Sequence, residues 1–580
     1  MAGFRLATGG LIDRSSTLNF TFDGKGFAGH QGDTLASALI ANGIHLMGRS
    51  FKYHRPRGVI TAGAAEPNAL VELREGGRKE ANTRATVIEL YDGLVAKSQN
   101  RWPSLNFDIG AVNSLAASVF VAGFYYKTFM WPKSFWEKIY EPLIRRAAGL
   151  GSATHEADPD KYEKSYDHCD LLVIGSGPAG LSAARAAGRS GARVILIDEG
   201  SALGGSLVNE NEEIDGKSGL DWAQAVIAEL AGMANVKLMP RTTAFGAYDG
   251  NVFGALERVN DHVLEPSPYE PRQRYWKIMA KRAVLAAGAE ERPIVFGGND
   301  VPGVMLASAM RTFANRYAVA SGKSAVVFTN NDSGYRTARD LKAKGVHVEV
   351  VVDSRKDGTG DAQGIPVLKG RTVADVTPGK IVSGVELSGH MNIACDTVAM
   401  SGGWSPVVNL LCHKGAKPIW NDKLQAFLPP NGDTALVAAG SANGAMALSD
   451  CLREGAEKAV KALSDLGFKM KAPATPKCRD ETYTVQSLWW VKESRGKAFV
   501  DYQNDVTPKD MPLAAREGYS SIELAKRYTT AGMATDQGKL GNVNAIAILA
   551  EAAGKSIAEI GTTTIRPFYT PVPFAAFAGR

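Results

Sequence analysis

The sequence predicts an α/β protein with two dinucleotide-binding βαβ units, the second inserted into the first, and a small β-grasp domain ahead of them. Three observations predict it. A glycine turn, Gly175-Ser-Gly177-Pro-Ala-Gly180, joins the apolar run DLLVIGSG to the helix-like PAGLSAARAAGRSG, and the apolar run ARVILIDEG follows. A second strand–helix–strand pattern, SAVVFTNNDSGYRTARDLKAKGVHVEVVVDS, comes later. A strand-like run, TALVAAGSANG, then returns near residue 434 and leads into the helix-like ALSDCLREGAEKAV, as if closing the first unit after the second.

Taken in order, residues 1–98 hold short alternating runs, STLNFTFDG, VELREGG and RATVIELYDG, which read as strands with glycine turns. Between them DTLASALIANGI reads as one amphipathic helix opened by Asp33 as N-cap. Strand, helix, loop and strands in that order suit a β-grasp domain. Residues 99–168 are an aromatic-rich connector followed by a polar linker, GSATHEADPDKYEKSYDH. Residues 169–470 are the dinucleotide-binding region, laid out as in flavoproteins of the disulfide-reductase kind, with the second unit at about 323–400. Residues 471–580 form a mostly helical tail.

The totals exclude several classes of protein. A chain of 580 residues has room for two to four domains. A net charge of +6 is too small an excess for a nucleic-acid-binding face. The five cysteines, Cys169, Cys395, Cys412, Cys451 and Cys478, include no CxxC pair, so no zinc or iron–sulfur site is expected and no metal ligand is assigned. Scattered cysteines and an N-terminus without a signal-like apolar core suit a reducing, cytoplasmic setting. The run Ile109–Tyr126 is free of charge but carries Gly110, Asn113, Ser114, Ser118 and Gly123, and sits at the short limit for crossing a bilayer. It is expected to be a buried interdomain or interface segment, not a membrane span. The aromatic cluster FYYKTFMWPKSFWEKIYEP after it packs either on a partner surface or in a domain core.

The chemistry is concentrated in the first glycine loop. Gly175 permits the tight turn, Gly177 lets a pyrophosphate approach the backbone, and Gly180 lets helix and strand pack closely. The helix N-terminus offers unpaired N–H groups to the phosphates. Asp198 ends the next strand, where a carboxylate accepts from a ribose diol and repels a 2′-phosphate. The motif therefore favours NAD or FAD over NADP. Gly204-Gly205 then gives the chain room to pass over the dinucleotide or simply makes a turn, and Ser206 is placed to donate to a phosphate. The second unit reads Thr329-Asn330-Asn331-Asp332-Ser333-Gly334 where the glycines belong, and Asp332 brings negative charge, so it is expected to be scaffold or to bind something else. No catalytic constellation is found. The basic stretch GRSFKYHRPRG is either a contact for a phosphate-bearing ligand held with a partner or a solvated face, with His54 a surface residue or anion contact.

Beyond these motifs the whole chain resembles the α subunits of heterotetrameric sarcosine oxidase. The likeness is carried by GDTLASALIANGI, GRSFKYHRPRG with AEPNALVEL, AGFYYKTFMWP, IGSGPAGLSAARAAGRSGARVILIDEG, AAGAEERPIVFGGNDVPGVM, KAFVDYQNDVTPKD, RYTTAGMATDQGKLGNVNAIAILAE and TTTIRPFYTPVPFAAFAGR. The resemblance implies an NAD-binding α chain working with β, γ and δ subunits. FAD and the amine-oxidising site belong to the β subunit, and FMN lies at the α–β interface. The complex oxidises sarcosine to glycine, reduces oxygen to hydrogen peroxide, and passes the one-carbon unit to tetrahydrofolate.

Residue by residue, Ala179, Asp198, Glu199, Gly200 and Ser206 match the family's NAD contacts, with Ala244, Ser441 and Met446 matched more loosely. Where a FAD-binding relative has Gly-Asp, this chain has Gly440-Ser441. The first domain resembles a ferredoxin-like domain, yet its loop VITAGAAEPNAL has no cysteine. KAFVDYQNDVT resembles a second cluster module, of the BFD kind, with Asp501 and Gln503 where cysteines belong. Both are expected to be cluster-free. Family members continue into a folate-binding domain about where this chain reaches Arg580, which suggests a fragment or a split subunit. The competing readings are an α-type subunit of an opine, proline or other amine dehydrogenase complex, and a non-catalytic dinucleotide-binding scaffold.

Overall fold

The computed structural model describes residues 3–579 apart from Ala116, Ser118, Val119, Thr128, Ala148, Asn431, Asp433 and Thr434. Ser118 of the charge-free run and Thr434 of the returning strand therefore lie outside the described residues. The chain divides into two compact units. One comprises Met1–Pro159, Glu291–Gly403 and Gln486–Thr563, and the other Asp160–Glu290, Trp404–Val485 and Thr564–Arg580.

The N-terminal domain is a five-stranded sheet of β1 (Asp13–Phe22), β2 (Lys25–Gln31), β3 (Leu70–Leu73), β4 (Glu80–Arg84) and β5 (Leu94–Ser98), in the order β2-β1-β5-β3-β4. β1 and β2 form a hairpin with Phe20 opposite Phe27, while β1 and β5 run parallel. Helix α1 (Leu35–Ala41) is buried along its whole length. Its cap is Thr34, not Asp33: Thr34 and Ser37 close a capping box. Asp33 is drawn away by Arg5, which donates to both its carboxylate oxygens at 3.0 and 2.6 Å.

The second of these compact units carries the first βαβ motif and is built on β6 (Tyr162–Ile174), α2 (Pro178–Arg189), β7 (Val194–Ile197), α3 (Gly219–Ala231), β8 (Val236–Met239), β9 (Thr242–Tyr248), β10 (Val252–Glu257) and β11 (Gln273–Leu285). The sheet runs β8-β7-β6-β11-β10-β9. β6 begins inside the run read as a linker, because YEKSYDH pairs in parallel with β11 from Tyr162 opposite Gln273 onward. The apolar ends of β6 and β7, Leu171–Ile174 and Val194–Ile197, are buried on both faces, as a parallel sheet covered by helices requires.

The inserted βαβ unit belongs to the first compact unit. It comprises β12 (Val304–Leu306), α4 (Ala307–Arg316), β13 (Ser324–Thr329), α5 (Ser333–Ala343), β14 (His347–Asp353), β15 (Val367–Lys369) and β16 (Thr397–Ser401). Its sheet, ordered β12-β16-β13-β14-β15, is parallel throughout. The chain then returns to β11 through β17 (Leu436–Ala438) and the helix α6 (Leu448–Ser464). The tail carries α7 (Asp510–Arg516), α8 (Ile522–Thr529) and α9 (Asn542–Ala553), with irregular backbone before Asp510.

The basic stretch is not a solvated face in this fold, because Arg55 and Arg57 are drawn into buried ion pairs. Arg57 is 1% exposed and paired to both Asp300 and Asp505. Arg55 forms a fork on Asp300 at 2.6 and 2.8 Å. His54 is buried, with Nδ1 2.7 Å from the Asp108 carboxylate, so it is not a surface residue. The charges join the N-terminal domain to the inserted unit and the tail. The charge-free run forms a short 3-10 turn over Ile109–Ser114 and a helical turn over Phe124–Lys127. No helix among the described residues is long and apolar enough to cross a membrane. Much of this connector is exposed, including Leu115 and Trp131 at 86% and 82%.

Candidate functional site

The glycine loop sits where β6 ends and α2 begins. Gly177 is its open point: a Cβ built there would meet no atom within 4 Å. Gly180 is the closed point, since a Cβ there would fall 1.8 Å from the Gly175 carbonyl oxygen. The loop thus leaves one backbone surface clear in front of the α2 N-terminus, which suits a pyrophosphate. The Gly204–Gly205 turn packs back onto it, with a Gly205 Cβ position 2.6 Å from Gly177 Cα.

Asp198 locks the loop from behind. Its Oδ2 accepts from Ser176 N and Ser176 Oγ, both at 2.7 Å, and its Oδ1 accepts from Gly200 N at 2.7 Å. Ser176 Oγ in turn accepts from Gly204 N at 3.0 Å. Of the roughly four acceptor positions of a carboxylate, three are used, leaving room for one hydroxyl donor. Ser176 is fully buried and central to this network. Sequence reasoning passed over it because any residue satisfies the second position of the motif; a hydroxyl beside an acid at the end of the following strand was the available signal.

The remaining candidates divide into two groups. Gly175, Gly177, Ala179, Gly180, Asp198, Gly200 and Gly205 form one contiguous surface through the contacts above. Gly440-Ser441 joins them, because a Gly440 Cβ would lie 2.7 Å from Ala179 Cβ and a Gly455 Cβ 2.0 Å from the Ala179 carbonyl oxygen. Helices α2 and α6 therefore touch backbone to backbone. Glu454 holds the turn by accepting from Gly440 N at 3.2 Å and Asn443 Nδ2 at 3.1 Å. Ser441 Oγ lies 3.6 Å from Cys451 Sγ, and burial pushes the Cys451 thiol up to about 11, so it stays neutral. Glu199 and Ser206 are exposed, and Ala244 and Met446 are half-buried. Ala244 follows Thr242, whose N–H donates to the Asp198 carbonyl at 2.7 Å, while the Glu199 carbonyl accepts from Arg258 Nη2 at 2.5 Å.

In the inserted unit the corresponding loop is filled by its own side chains. Asn331 N donates to Thr329 Oγ1 at 3.1 Å, and Ser333 N to Asn331 Oδ1 at 3.0 Å. Asn331 Nδ2 reaches the Ser401 carbonyl and hydroxyl at 3.0 Å each, and Ser401 Oγ donates to buried Glu291 at 2.5 Å. The acid at the end of β14, Asp353, accepts from Tyr335 Oη and Arg355 Nη2, both at 2.8 Å. Arg355 also pairs with Asp332 at 2.8 Å. A phosphate would have to displace these bonds.

The ferredoxin-like loop closes around a carboxylate. Glu66 is fully buried and accepts from the backbone N–H groups of Ile60, Thr61, Asn68 and Ala69 at 2.8–3.0 Å. Burial pushes this acid up, against the opposing pull of those four donors. Arg84 links this loop to the tail, donating to the Glu66 carbonyl at 3.0 Å and the Thr535 carbonyl at 2.9 Å. Among the described residues no group of three or more His, Cys, Asp and Glu side chains could hold a metal.

Three family profiles match the chain: "Pyridine nucleotide-disulphide oxidoreductase" over residues 169–462, "2Fe-2S iron-sulfur cluster binding domain" over 15–101, and "Sarcosine oxidase A3 domain" over 495–580. The chain is 57% identical to the sarcosine oxidase subunit alpha of Rhizobium meliloti strain 1021, across 100% of this chain and 59% of that protein. It is 36% identical to the subunit alpha of Corynebacterium sp. strain P-1, across 98% of this chain and 57% of that protein. The chain thus spans less than three fifths of the length of these curated relatives. Among solved structures, L-proline dehydrogenase from P. horikoshii superposes with a TM-score of 0.70 at 19% identity, covering 99% of both chains, and so shares the fold.

Proposed function

We infer the function from the premise that the chain belongs to the pyridine nucleotide-disulphide oxidoreductase family and, within it, to the sarcosine oxidase α subunits. On this reading it is the NAD-binding α subunit of a heterotetrameric sarcosine oxidase. That complex demethylates sarcosine to glycine, releases hydrogen peroxide and passes the one-carbon unit to tetrahydrofolate. FAD resides in the β subunit and FMN at the interface with it, with γ and δ subunits completing the assembly, in the cytoplasm.

One observation carries this reading. The first glycine loop is open at Gly177, while the loop of the inserted unit is filled by Asn331, Ser401 and Arg355. The chain therefore keeps one dinucleotide site and lacks the second, reducing site of a two-nucleotide reductase. NAD, when bound, supplies a hydride acceptor. The N–H groups of Gly177, Ala179 and Gly180 at the α2 N-terminus would hold its pyrophosphate. Asp198, with one acceptor position left, and the exposed Glu199 would take the adenosine ribose, and Gly200, Gly205 and Ser206 would border the phosphates. Ala244 would flank the adenine. Ser441, with Met446 beyond it, presents a neutral hydroxyl where an acid would suit a flavin, which favours NAD over FAD.

Denaturing the purified chain and identifying the released nucleotide tests the cofactor. NAD without flavin is expected, and FAD would overturn the assignment. Peroxide release from sarcosine, proline and an opine, measured with the assembled complex, tests the substrate. Sarcosine alone is expected to be turned over, and only with the partner subunits present.

A further inference from the structure

The connector between the N-terminal domain and β6 carries apolar surface that the fold does not bury. Twelve of the 23 large apolar side chains exposed among the described residues lie in residues 102–150, less than a tenth of the chain. Five of them gather on one short structure. A π-helical turn over Trp136–Tyr140 runs directly into an α-helix over Glu141–Ala147. Phe135, Ile139 and Leu143, four residues apart, stand exposed along it, the spacing of one helix face. Tyr140 pins the helix to the preceding turn: its hydroxyl donates to the Trp131 carbonyl at 2.9 Å, and its ring centre lies 5.2 Å from that of Phe129 and 6.1 Å from that of Phe135. Met130 and Trp131 on that turn are exposed, Trp131 almost wholly. The other side of the connector is tied to the tail. Ala122 N donates to Asp510 Oδ1 at 3.1 Å, Gly123 N donates to the Tyr528 carbonyl at 3.2 Å, and Lys127 Nζ pairs with Glu517 at 2.5 Å.

We propose that this face of the connector is the docking surface for a different subunit of the complex, one that offers an apolar groove with an acidic rim. This rests on the reading of the chain as one subunit of an assembly. The area is sufficient. Covered aromatic side chains bring about 150–250 Å² each, and aliphatic ones about 60–120 Å². The five side chains above then expose about 400 Å², the size of patch that marks an interaction site. Trp102, Phe107, Val112 and Leu115, exposed earlier in the same connector, raise this to about 800 Å², one side of a standard interface. Apolar anchors one turn apart on a helix suit entry into a groove. The charges select the occupant. Lys133 and Lys138 stand exposed beside these anchors with Glu137 as the free acid, since Glu141 pairs with Arg145 at 2.7 Å. A second copy of this chain would set the basic rim against itself across a two-fold axis, whereas an acidic rim complements it. A bilayer fits less well, because the polar side of the helix mixes Glu137 and Glu141 with Lys138 and Arg145 and is not the basic face of a membrane-surface helix.

The test measures binding of the full chain to the purified β, γ and δ subunits, for the wild type, for W131E/L143E, and for Y269E, which changes an exposed side chain outside the connector. Placing acids at two anchors should weaken subunit binding at least about 30-fold, the effect of losing a hot spot. Melting temperature and bound nucleotide should stay those of the wild type, and Y269E should bind as the wild type does. Equal binding by the wild type and W131E/L143E would overturn the proposal and leave the subunit reading intact. A wild-type chain that binds none of the three subunits would overturn the subunit reading, and the docking surface with it. A wild-type homodimer in light scattering that W131E/L143E breaks would assign the face to a second copy. Co-sedimentation with phosphatidylcholine–phosphatidylglycerol vesicles that W131E/L143E abolishes would assign it to a membrane. Either result overturns the proposal. Should W131E/L143E fail to fold, hydrogen exchange of the wild type decides. Amides of residues 130–143 should exchange about tenfold or more slowly in the complex than in the free chain, and unchanged exchange is equally fatal.

Discussion

Arg57 and Asp505, 448 residues apart in sequence, meet as a buried ion pair in which neither side chain is more than 1% exposed. The same guanidinium reaches Asp300 in the inserted unit and lies 4.5 Å from the centre of the Phe499 ring. One arginine from the N-terminal domain thus ties together three separate stretches of chain. Asp505 is held for it by the N–H groups of Lys52 and Tyr53, at 2.8 and 3.0 Å.

Removing that arginine leaves two buried carboxylates with too few partners. Arg57→Ala should destabilise the protein by about 3–5 kcal/mol, the usual result of breaking a buried pair from one side. Arg57→Lys should recover only part of this, because a single ammonium cannot fork between two acids. Denaturant unfolding followed by tryptophan fluorescence measures both. Losses below about 1 kcal/mol, the scale of an exposed pair, would show that the network is peripheral.

Asp300 makes the same network sensitive to acid. Burial alone would raise its carboxyl, but Arg57 and Arg55 outweigh burial and hold it below the ordinary 3.8. An acid depressed in the folded state contributes stability that is present above its unfolded value and lost as pH falls through the folded one. Wild-type melting temperature should therefore drop steeply below about pH 3.8. Asp300→Asn, less stable at neutral pH, should show a shallower acid limb. Parallel limbs would mean that Asp300 does not control acid unfolding.

The legible parts of this fold are those written in local pattern. The glycine loop, its flanking strands and the α1 helix follow from residues within about twenty positions of one another. The grouping of the chain into units does not, because Arg57, Asp300 and Asp505 look individually like ordinary surface charges. Their pairing exists only after three distant segments fold. Glu66 was hidden for a related reason: an acid in a glycine- and alanine-rich loop gives no sign that four backbone donors will converge on it. Within the site, Asp198 was legible as an acid at a strand end. That three of its acceptor positions face Ser176 and Gly200 was not.

Asp198 should accordingly matter twice. Asp198→Asn keeps the size but replaces one accepting oxygen with a donor facing N–H groups, so the loop weakens, and with it the ribose contact proposed above. Charge-assisted hydrogen bonds are worth about 1.5–3 kcal/mol, so nucleotide affinity should fall about 10- to 100-fold. Ser176→Ala removes only the hydroxyl bridge between Asp198 and Gly204 and should cost less, under about tenfold. Isothermal titration of NAD into nucleotide-stripped protein gives both values. Equal losses would place the contribution of Asp198 in the loop alone.

The two glycines that differ most in surroundings separate binding from folding. At Gly180 an added methyl would lie 1.8 Å from the Gly175 carbonyl oxygen, so Gly180→Ala must push α2 off β6 and should cost about 1–3 kcal/mol in stability. At Gly177 the same methyl meets no protein atom within 4 Å, and the backbone φ of −65° is one that alanine adopts freely. Gly177→Ala should therefore fold with nearly unchanged stability, yet carry little or no nucleotide, because its Cβ occupies the space a pyrophosphate needs. Melting curves of nucleotide-stripped proteins, paired with nucleotide content after purification, resolve the two effects. If Gly177→Ala retains full nucleotide, the phosphates do not pass in front of this loop, and the dinucleotide site must be sought elsewhere on the chain.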